Sequence, residues 1–456
     1  MTNETRILYM NWINKETKGA KSNMCSMFKI KKYVAAIIMV SLVCAGCANK
    51  SVDMSDTYTT QAVKSEDEII NGSTNSNYTN ESSEYNGGYG GISGNSGSTD
   101  IQDESQPDNE VSIVMVGDVL LHTRVAESGV RDDGTYNFDA LFMNVKDDIE
   151  SADIAIANQE VIIGGSELGI SGYPAFNAPY ELGDALVNAG FDIILHATNH
   201  ALDKGSAGIN NCINYWRENH PDIAFLGIND SEETKNNIYV TEKNGIKIAI
   251  LNYTYGTNGI PMPEGMPYAV NLLDEEQIRS DIERAHTMAD FVIVCPHWGT
   301  EYVLNETDEQ EYYANLFNEC GVDLVIGTHP HVMEPVKWIE GENNKTLVYY
   351  SLGNYVNWTS DYGDGISNRM EGMMAKVNIV KNEDGSVTIS DYEAEPVVSH
   401  VNEGFGNVTV YRLSDYTDEL ASQNAIITQD QSFSREYLVN LYNQIAESSD
   451  NLNKAN

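Results

Sequence analysis

Positive charge is scarce in this sequence. Lys and Arg number 27 against 68 Asp and Glu over 456 residues, a net charge of −41. A surface that negative argues against nucleic acid and against anionic lipid as binding partners. It argues equally against tight binding of any polyanion, unless a bound metal inverts the local field. Cysteine is scarce too. Of the six, Cys25, Cys44 and Cys47 fall in the first fifty residues, leaving Cys212, Cys295 and Cys320 scattered through the rest. Three thiols so spaced make no disulfide framework. Cys295 and Cys320 stand in apolar contexts, where cysteine is by default a small buried hydrophobe. A comfortable bilayer-spanning run is lacking as well: the apolar stretch Tyr33 to Val43 is too short.

What the N-terminus does hold reads as an address. Lys29, Lys31 and Lys32 precede the apolar stretch, and small residues then lead into Cys47. This pattern is that of a lipoprotein signal, with Cys47 as the lipidated first residue of the mature chain; an ordinary signal peptide or an uncleaved anchor remains the alternative. Each of these places the remainder outside the cytoplasm, held at the membrane through a lipid anchor or released. Residues 1–26 lack signal character, and Met24 or Met27 would start a normal signal. Residues 48–110 are rich in Ser, Asn, Gly, Thr and acids, cannot bury a core, and read as a disordered tether.

From residue 111 the composition changes. Short apolar runs at 111–116, 154–157, 192–195, 223–226, 246–251, 291–295, 324–326 and 347–350 read as buried strands. Amphipathic stretches at 180–189, 274–288 and 308–320 lie between several of them. The alternation predicts an α/β domain with parallel or mixed sheets over 111–400. Residues 376–380 and 387–390 read as a hairpin closing that domain. Residues 401–456 read as a more polar extension, with Ser434 capping a last helix through Ile445.

The polar residues that stand out each follow a strand, where α/β folds bind ligands. They are Asp118 and His122 after the first, Asn158 and Glu160 after the second, and His196, Asn199, His200 and Asp203 after the third. His297, Glu301 and Tyr302 follow the run at 291–295, and His329 and His331 the run at 324–326. Six of the nine histidines fall in these loops. In extended backbone, His329 and His331 share one side and reach one small centre. Carboxylate, amide and imidazole donors together suit Mn, Fe or Zn rather than calcium, and five converging strand ends supply enough ligands for two ions. Ordinary roles stay open beside these. Asp203 could cap the helix beginning near Lys204, Glu301 could orient His297, and His196 could be a satisfied core histidine. Trp298 and Tyr302 could be packing or a substrate platform. The Tyr253 to Gly259 loop could be a rim or an ordinary turn, and Asn354 could orient a ligand.

Taken together, Gly117-Asp118, Asn158-x-Glu160, Thr198-Asn199-His200-Ala201-Leu202-Asp203-x-Gly205, His297-Trp298-Gly299-x-Glu301-Tyr302, Gly327-x-His329-Pro330-His331-Val332 and Tyr350-Ser351-Leu352-Gly353-Asn354 resemble the CapA (poly-γ-glutamate capsule synthesis) family, in order, over about 111–400. That family is similar to the calcineurin-like metallophosphoesterases. The resemblance implies a four-layer α/β/β/α sandwich around a centre of one or two divalent ions. It implies Asp118, Glu160, Asn199, His297, His329 and His331 as ligands, and His200 as donor of a proton to the leaving group. One departure is plain: the phosphoesterases' histidine two residues after the first aspartate is Leu120 here, with His122 two further on. Implied partners are poly-γ-glutamate or another envelope polymer, and membrane synthase subunits. Two functions remain: a metal-dependent hydrolase or transferase, or a non-catalytic polymer-binding or synthase-complex component with a degenerate metal site.

Overall fold

The computed structural model describes residues 109–455, apart from 343, 359, 360, 364 and 403–405. The signal, Cys47 and the tether lie outside the described residues. No helix among the described residues is long and apolar enough to cross a membrane.

Four parallel strands come first: β1 (Glu110–Val119), β2 (Ile154–Asn158), β3 (Ile193–Leu195) and β4 (Ala224–Leu226). The antiparallel pair β5 (Tyr239–Lys243) and β6 (Ile246–Thr254) opens a second sheet. It is completed by β7 (Phe291–His297), β8 (Leu324–Ile326), β9 (Val336–Glu340) and β10 (Lys345–Tyr349), in the order β5-β6-β7-β8-β10-β9. The chain then returns to the first sheet with β11 (Asn354–Val356), β12 (Glu371–Lys381), β13 (Val387–Val401) and β14 (Val408–Arg412). That sheet runs β14-β13-β12-β1-β2-β3-β4, with β11 paired to β1.

Alternation along the second sheet explains the layering. Ile248, Ile250, Ile293, Cys295, Leu324, Ile326, Leu347 and Tyr349 join the core shared with the first sheet. The residues between them, Ala249, Leu251, Val292, Val294, Val325, Val348 and Tyr350, join a separate outer core. Successive side chains of a strand point to opposite faces, so each strand feeds two cores at once. The inner contact is direct: Cys295 Sγ lies 3.7 Å from Met115 Sδ across the sheets. Helices α1 (Tyr180–Ala189) and α2 (Gly205–Asn219) bury their apolar faces with the first sheet, while α3 (Glu275–His286) and α4 (Asp308–Glu319) cover the second. The result is a four-layer α/β/β/α sandwich, as expected.

Three expectations are revised. The hairpin at 376–390 is no closing flourish: β12 pairs antiparallel with β1 from Glu110↔Val380 to Met115↔Ala375, so it lies inside the first sheet. A strand needs hydrogen-bonded neighbours on both edges wherever it is buried, and β12 supplies β1's second neighbour. Residues 401–456 continue the sheet through β14, and helix α5 (Arg435–Glu447) buries Leu438, Leu441, Tyr442 and Ile445. Ser434 caps that helix by accepting from Tyr437 N. Cys212 and Cys295 are buried, but Cys320 is half-buried beside Arg279.

One buried group opposes stability. Glu371 begins β12 with no exposed surface, and neither of its carboxyl oxygens has a hydrogen-bond partner. Burial raises its carboxyl well above the ordinary value. A proton held more tightly in the folded chain than in the unfolded one makes stability fall as pH climbs past the unfolded pKa. Glu371→Met should therefore raise the melting temperature at pH 8, by about 1–3 kcal/mol in free energy, with the gain shrinking towards pH 4. Thermal unfolding at both pH values measures it; a lower melting temperature at pH 8 would refute the reasoning.

Candidate metal centre

The centre is assembled where the carboxyl ends of the central strands of both sheets meet. β1 delivers Asp118, β2 is followed by Glu160, β3 by Asn199 and His200, β7 ends on His297, and β8 is followed by His329 and His331. Close approach is built into the backbone here. A Cβ on Gly117 would lie 2.0 Å from Gly353 O, and one on Gly327 would lie 2.1 Å from Tyr350 O. Glycine at these two positions lets the motif strands touch.

Glu160 is the shared member of two ligand groups. Glu160, His297 and His329 form one; Asp118, Glu160 and His331 form the other, each with donor atoms within 4.8 Å of one another. All five side chains are buried. Neither Glu160 oxygen has a hydrogen-bond partner, and His329 Nδ1 and Asn158 Oδ1 have none either. Asn199 Oδ1 lies 3.0 Å from His297 Nε2 and extends the first group. Asn158 Nδ2 donates to Asp118 Oδ1 at 2.8 Å. Burial lowers the His297 and His329 imidazoles well below the ordinary value, so both are neutral with a lone pair to offer. Burial raises Glu160 well above its ordinary value, with His331 opposing and Asp118 adding. For His331, burial acts downward, but Glu160 and Asp118 outweigh it and hold the ring up at about 9. The donor set and its orphaned buried atoms fit a divalent cation, because buried carboxylates persist only when paired or coordinated.

The histidine pair differs from expectation in its backbone. His329 has φ +101° and His331 φ +60°, so the segment is not extended. The two rings consequently part, His329 to the His297 group and His331 to the Asp118 group. Among the described residues, four of six non-glycine positive-φ positions (Asn258, Tyr302, His329, His331) lie around this centre. Such strain is held only where surrounding structure over-determines it. Here Trp298 N bonds Thr328 O at 3.0 Å, Tyr302 N bonds Pro330 O at 2.7 Å, and His329 N reaches Asp118 Oδ2 at 3.3 Å.

Several open roles are now assigned by geometry. Asp203 does not cap α2, whose N-cap Lys204 has no side-chain bond. Its Oδ2 instead lies 2.7 Å from His200 Nδ1 and accepts from Phe176 N at 2.7 Å. His196 accepts from Trp216 Nε1 at 2.9 Å and is a satisfied core histidine. Trp298 is fully buried, donates to Tyr350 O, and is packing. His297 Nδ1 is held by Thr328 Oγ1 at 3.0 Å, so Glu301 is not its partner. Asn354 Oδ1 lies 3.1 Å from His331 Nδ1, and Asn354 Nδ2 donates to His331 O. The Tyr253–Gly259 loop does touch the centre: Tyr255 lies against His329 at 4.6 Å, and Asn258 Oδ1 accepts from Asn199 Nδ2 at 3.3 Å. His122 enters neither ligand group. It lies edge-on to Phe176 at 5.2 Å, and burial, ahead of His331 and His200, lowers it to about 4. Glu301 and Tyr302 line an open cavity of about 310 Å³ beside His331, together with Tyr173, Asn357, Asp361 and Arg369. Arg369 carried no strand-end or motif signal, and Thr328, inside the Gly327-x-His329 motif, carried none that marked it as the partner of His297.

Fold and centre define a four-layer α/β/β/α sandwich whose buried polar cluster suits a divalent metal. Residues 112–359 match the model of the family described as bacterial capsule synthesis protein PGA_cap, and the chain belongs to that family. It is 30% identical over 216 residues to the PGA biosynthesis protein CapA of Bacillus subtilis (strain 168), covering 47% of this chain and 53% of the relative. To the capsule biosynthesis protein CapA of Bacillus anthracis it is 26% identical over 265 residues, covering 55% and 61%. The chain thus spans little more than half the length of these curated relatives. Among solved structures, the Haemophilus influenzae NAD nucleotidase NadN is similar at 12% identity and a TM-score of 0.41, over 76% of this chain and 64% of that one. A 5'-nucleotidase precursor from Thermus thermophilus is similar at 11% and 0.39, over 74% and 59%.

A divalent cation such as Mn²⁺ at a hundred times its Kd should stabilise the protein by about 2.7 kcal/mol. Glu160→Ala should abolish that response. Thermal shift with and without metal reads it; a Glu160→Ala protein still stabilised like the wild type would contradict the site.

Proposed function

We propose that this chain is a metal-dependent hydrolase or transferase of capsule biosynthesis, working outside the cytoplasm on poly-γ-glutamate or a comparable envelope polymer. Two ions of Mn, Fe or Zn would be held, one by Asp118, Glu160 and His331, the other by Glu160, Asn199, His297 and His329. The observation that carries the reading is the buried Glu160 carboxyl, without a hydrogen-bond partner and shared by two ligand groups, with the His200–Asp203 pair beside them. When bound, such ions polarise the scissile carbonyl or phosphoryl oxygen and lower the pKa of a coordinated water. The protein's own part follows from its contacts. Asp203, itself fixed by Phe176 N, engages His200 Nδ1 and sets the ring's orientation. That leaves Nε2 to pass a proton to the leaving nitrogen or oxygen as its bond to the carbonyl carbon or phosphorus breaks. In hydrolysis water supplies the incoming oxygen; in transfer, an acceptor hydroxyl or amine does. Phe176 against His200 at 4.6 Å and Tyr255 against His329 help exclude bulk water. Cys47 would carry the lipid that keeps the domain at the membrane, near synthase subunits, with the following polar residues as tether.

A second reading has one observation in its favour. Leu120 stands where the phosphoesterases place a ligand histidine, which fits a polymer-binding or synthase-complex component that performs no turnover.

Metal-loaded protein should hydrolyse γ-glutamyl-p-nitroanilide or bis-p-nitrophenyl phosphate, and His200→Ala should lower kcat roughly 10²- to 10⁴-fold with metal content unchanged. Elemental analysis should give about two ions in the wild type, about one in His329→Ala and none in Glu160→Ala. Metal bound without turnover of either substrate would leave the binding component as the function. Cys47→Ser should move the protein from the membrane fraction to the medium; retention in the membrane would refute the lipid anchor.

A further inference from the structure

The cavity beside His331 is walled by acids, Glu301 and Asp361, yet it also contains Arg369, its one Lys or Arg among the described lining residues. In a chain carrying so little positive charge, that placement is informative. The guanidinium lies over the Tyr302 ring, with Cζ 3.5 Å from the ring centroid. A guanidinium stacked in this way keeps its N–H edge for an in-plane carboxylate. One carboxylate is already there: Arg369 Nη1 lies 2.6 Å from Asp361 Oδ2.

The two partners differ in how firmly they are held. The Arg369 side chain is only 15% exposed, whereas that of Asp361 is 62% exposed. Arg369's backbone is anchored to the metal centre, its carbonyl accepting from Asn354 Nδ2 at 2.9 Å and from Asn357 Nδ2 at 3.0 Å. The same Asn354 amide holds His331 through both its oxygen and its nitrogen. Tyr302 is tied to the histidine loop by its bond to Pro330 O. One asparagine therefore sets the spacing between a metal ligand and a stacked cation. An ion pair with so exposed a carboxylate is weak, so exchanging Asp361 for a ligand's carboxylate costs little.

From this geometry we propose that Arg369 is a specificity-determining residue that receives a carboxylate of the substrate, with Asp361 as the internal carboxylate it displaces. The substrate class is an acyl or peptide chain bearing a free carboxylate close to the bond at the metal centre, as each unit of a γ-linked glutamyl chain does. The choice of that chain rests on the function proposed above; the carboxylate rests on Arg369 and Asp361.

The test is a binding cycle on the full-length chain loaded with Mn²⁺. Calorimetry compares tri-γ-glutamate with the same peptide carrying carboxamides in place of its α-carboxylates, on wild type, Arg369→Gln and Asp361→Asn. The wild type should prefer the acid peptide by roughly tenfold or more, the scale of a charge-assisted pair, and Arg369→Gln should erase most of that preference. Asp361→Asn should tighten the acid peptide several-fold and leave the amide peptide unchanged. Opposite signs from two partners of one ion pair are not what a structural role yields, since losing a stabilising pair would weaken binding in both variants. Arg369→Gln retains the backbone carbonyl that Asn354 and Asn357 use, so its metal content and melting temperature should match the wild type. A preference that survives Arg369→Gln, a weakening by Asp361→Asn, or no binding of either peptide overturns the proposal. So does a site that binds inorganic phosphate through Arg369 while treating the two peptides alike. Because the readout is binding, an intact cycle without turnover would sink the hydrolase reading and leave this one standing.

Discussion

A buried carboxylate with nothing to bond is the constraint around which the centre of this protein is organised. Glu160 has no exposed surface, and both its oxygens lack hydrogen-bond partners, with His331 Nε2 3.6 Å away. Left charged and dry, such a group would cost several kcal/mol. The surroundings are arranged for a compensating cation rather than for a hydrogen-bond donor. His297 and His329 are kept neutral by burial, Asp118 and His331 form the second group around the same carboxyl, and among the described residues no lysine or arginine pairs with Glu160. The left-handed backbone at His329 and His331 belongs to the same arrangement. It divides two sequence neighbours between two groups, which an extended segment with both rings on one side would not do.

That strain is borne by the sheets. Strand β8 is short, but Gly327 N bonds Tyr349 O, Leu352 N bonds Gly327 O, and Thr328 N bonds Pro296 O. The loop is therefore sewn to β7 and β10 before its first histidine. Thr328 does double duty, pairing its backbone with the β7 end and its hydroxyl with His297 Nδ1. Fixing one ring nitrogen commits the other to the centre. The packing behind the site has the same rigidity, since Trp298 and Tyr350 are at once outer-core residues and neighbours of the histidine loop.

Much of this was legible in the residues, and the parts that were not share a cause. Strand positions could be read because buried parallel strands are continuous apolar runs. The centre's location could be read because its polar residues follow those runs directly: Asp118, Glu160, His200, His297. Local period carries no information about sheet order, so β12 looked like a terminal hairpin when it is β1's neighbour. Backbone handedness was equally hidden: no sequence rule would have assigned positive φ to two histidines flanking a proline. Asp203 has the residue type and place of a helix cap, and only the fold shows that Phe176 and His200 claim it. Arg369 precedes β12 in a short 3₁₀ turn, with no motif around it, and reaches the cavity through tertiary contacts alone.

Strand pairing also accounts for where Leu120 and His122 lie. Leu120 N bonds Val356 O, which continues β1's pairing with β11 past Asp118 and turns residue 120 towards the cavity. Two residues later His122 starts a short helix, and its ring packs on Phe176 rather than on the ligands. Phe176 is the same ring that lies against His200 and whose backbone N–H holds Asp203. His122 thus touches the acid–histidine pair only through Phe176. On the ligand side, the place beside Asp118 is taken by His331, with Asn354 from β11 bonded to its Nδ1. The pairing of β11 with β1, Asp118 opposite Asn354, is what brings that asparagine into position. The position of His331 beside Asp118 is therefore tied to the strand that returns from the second sheet. The same strand, through Asn354, also holds Arg369, so ligand geometry and the cavity wall depend on one register.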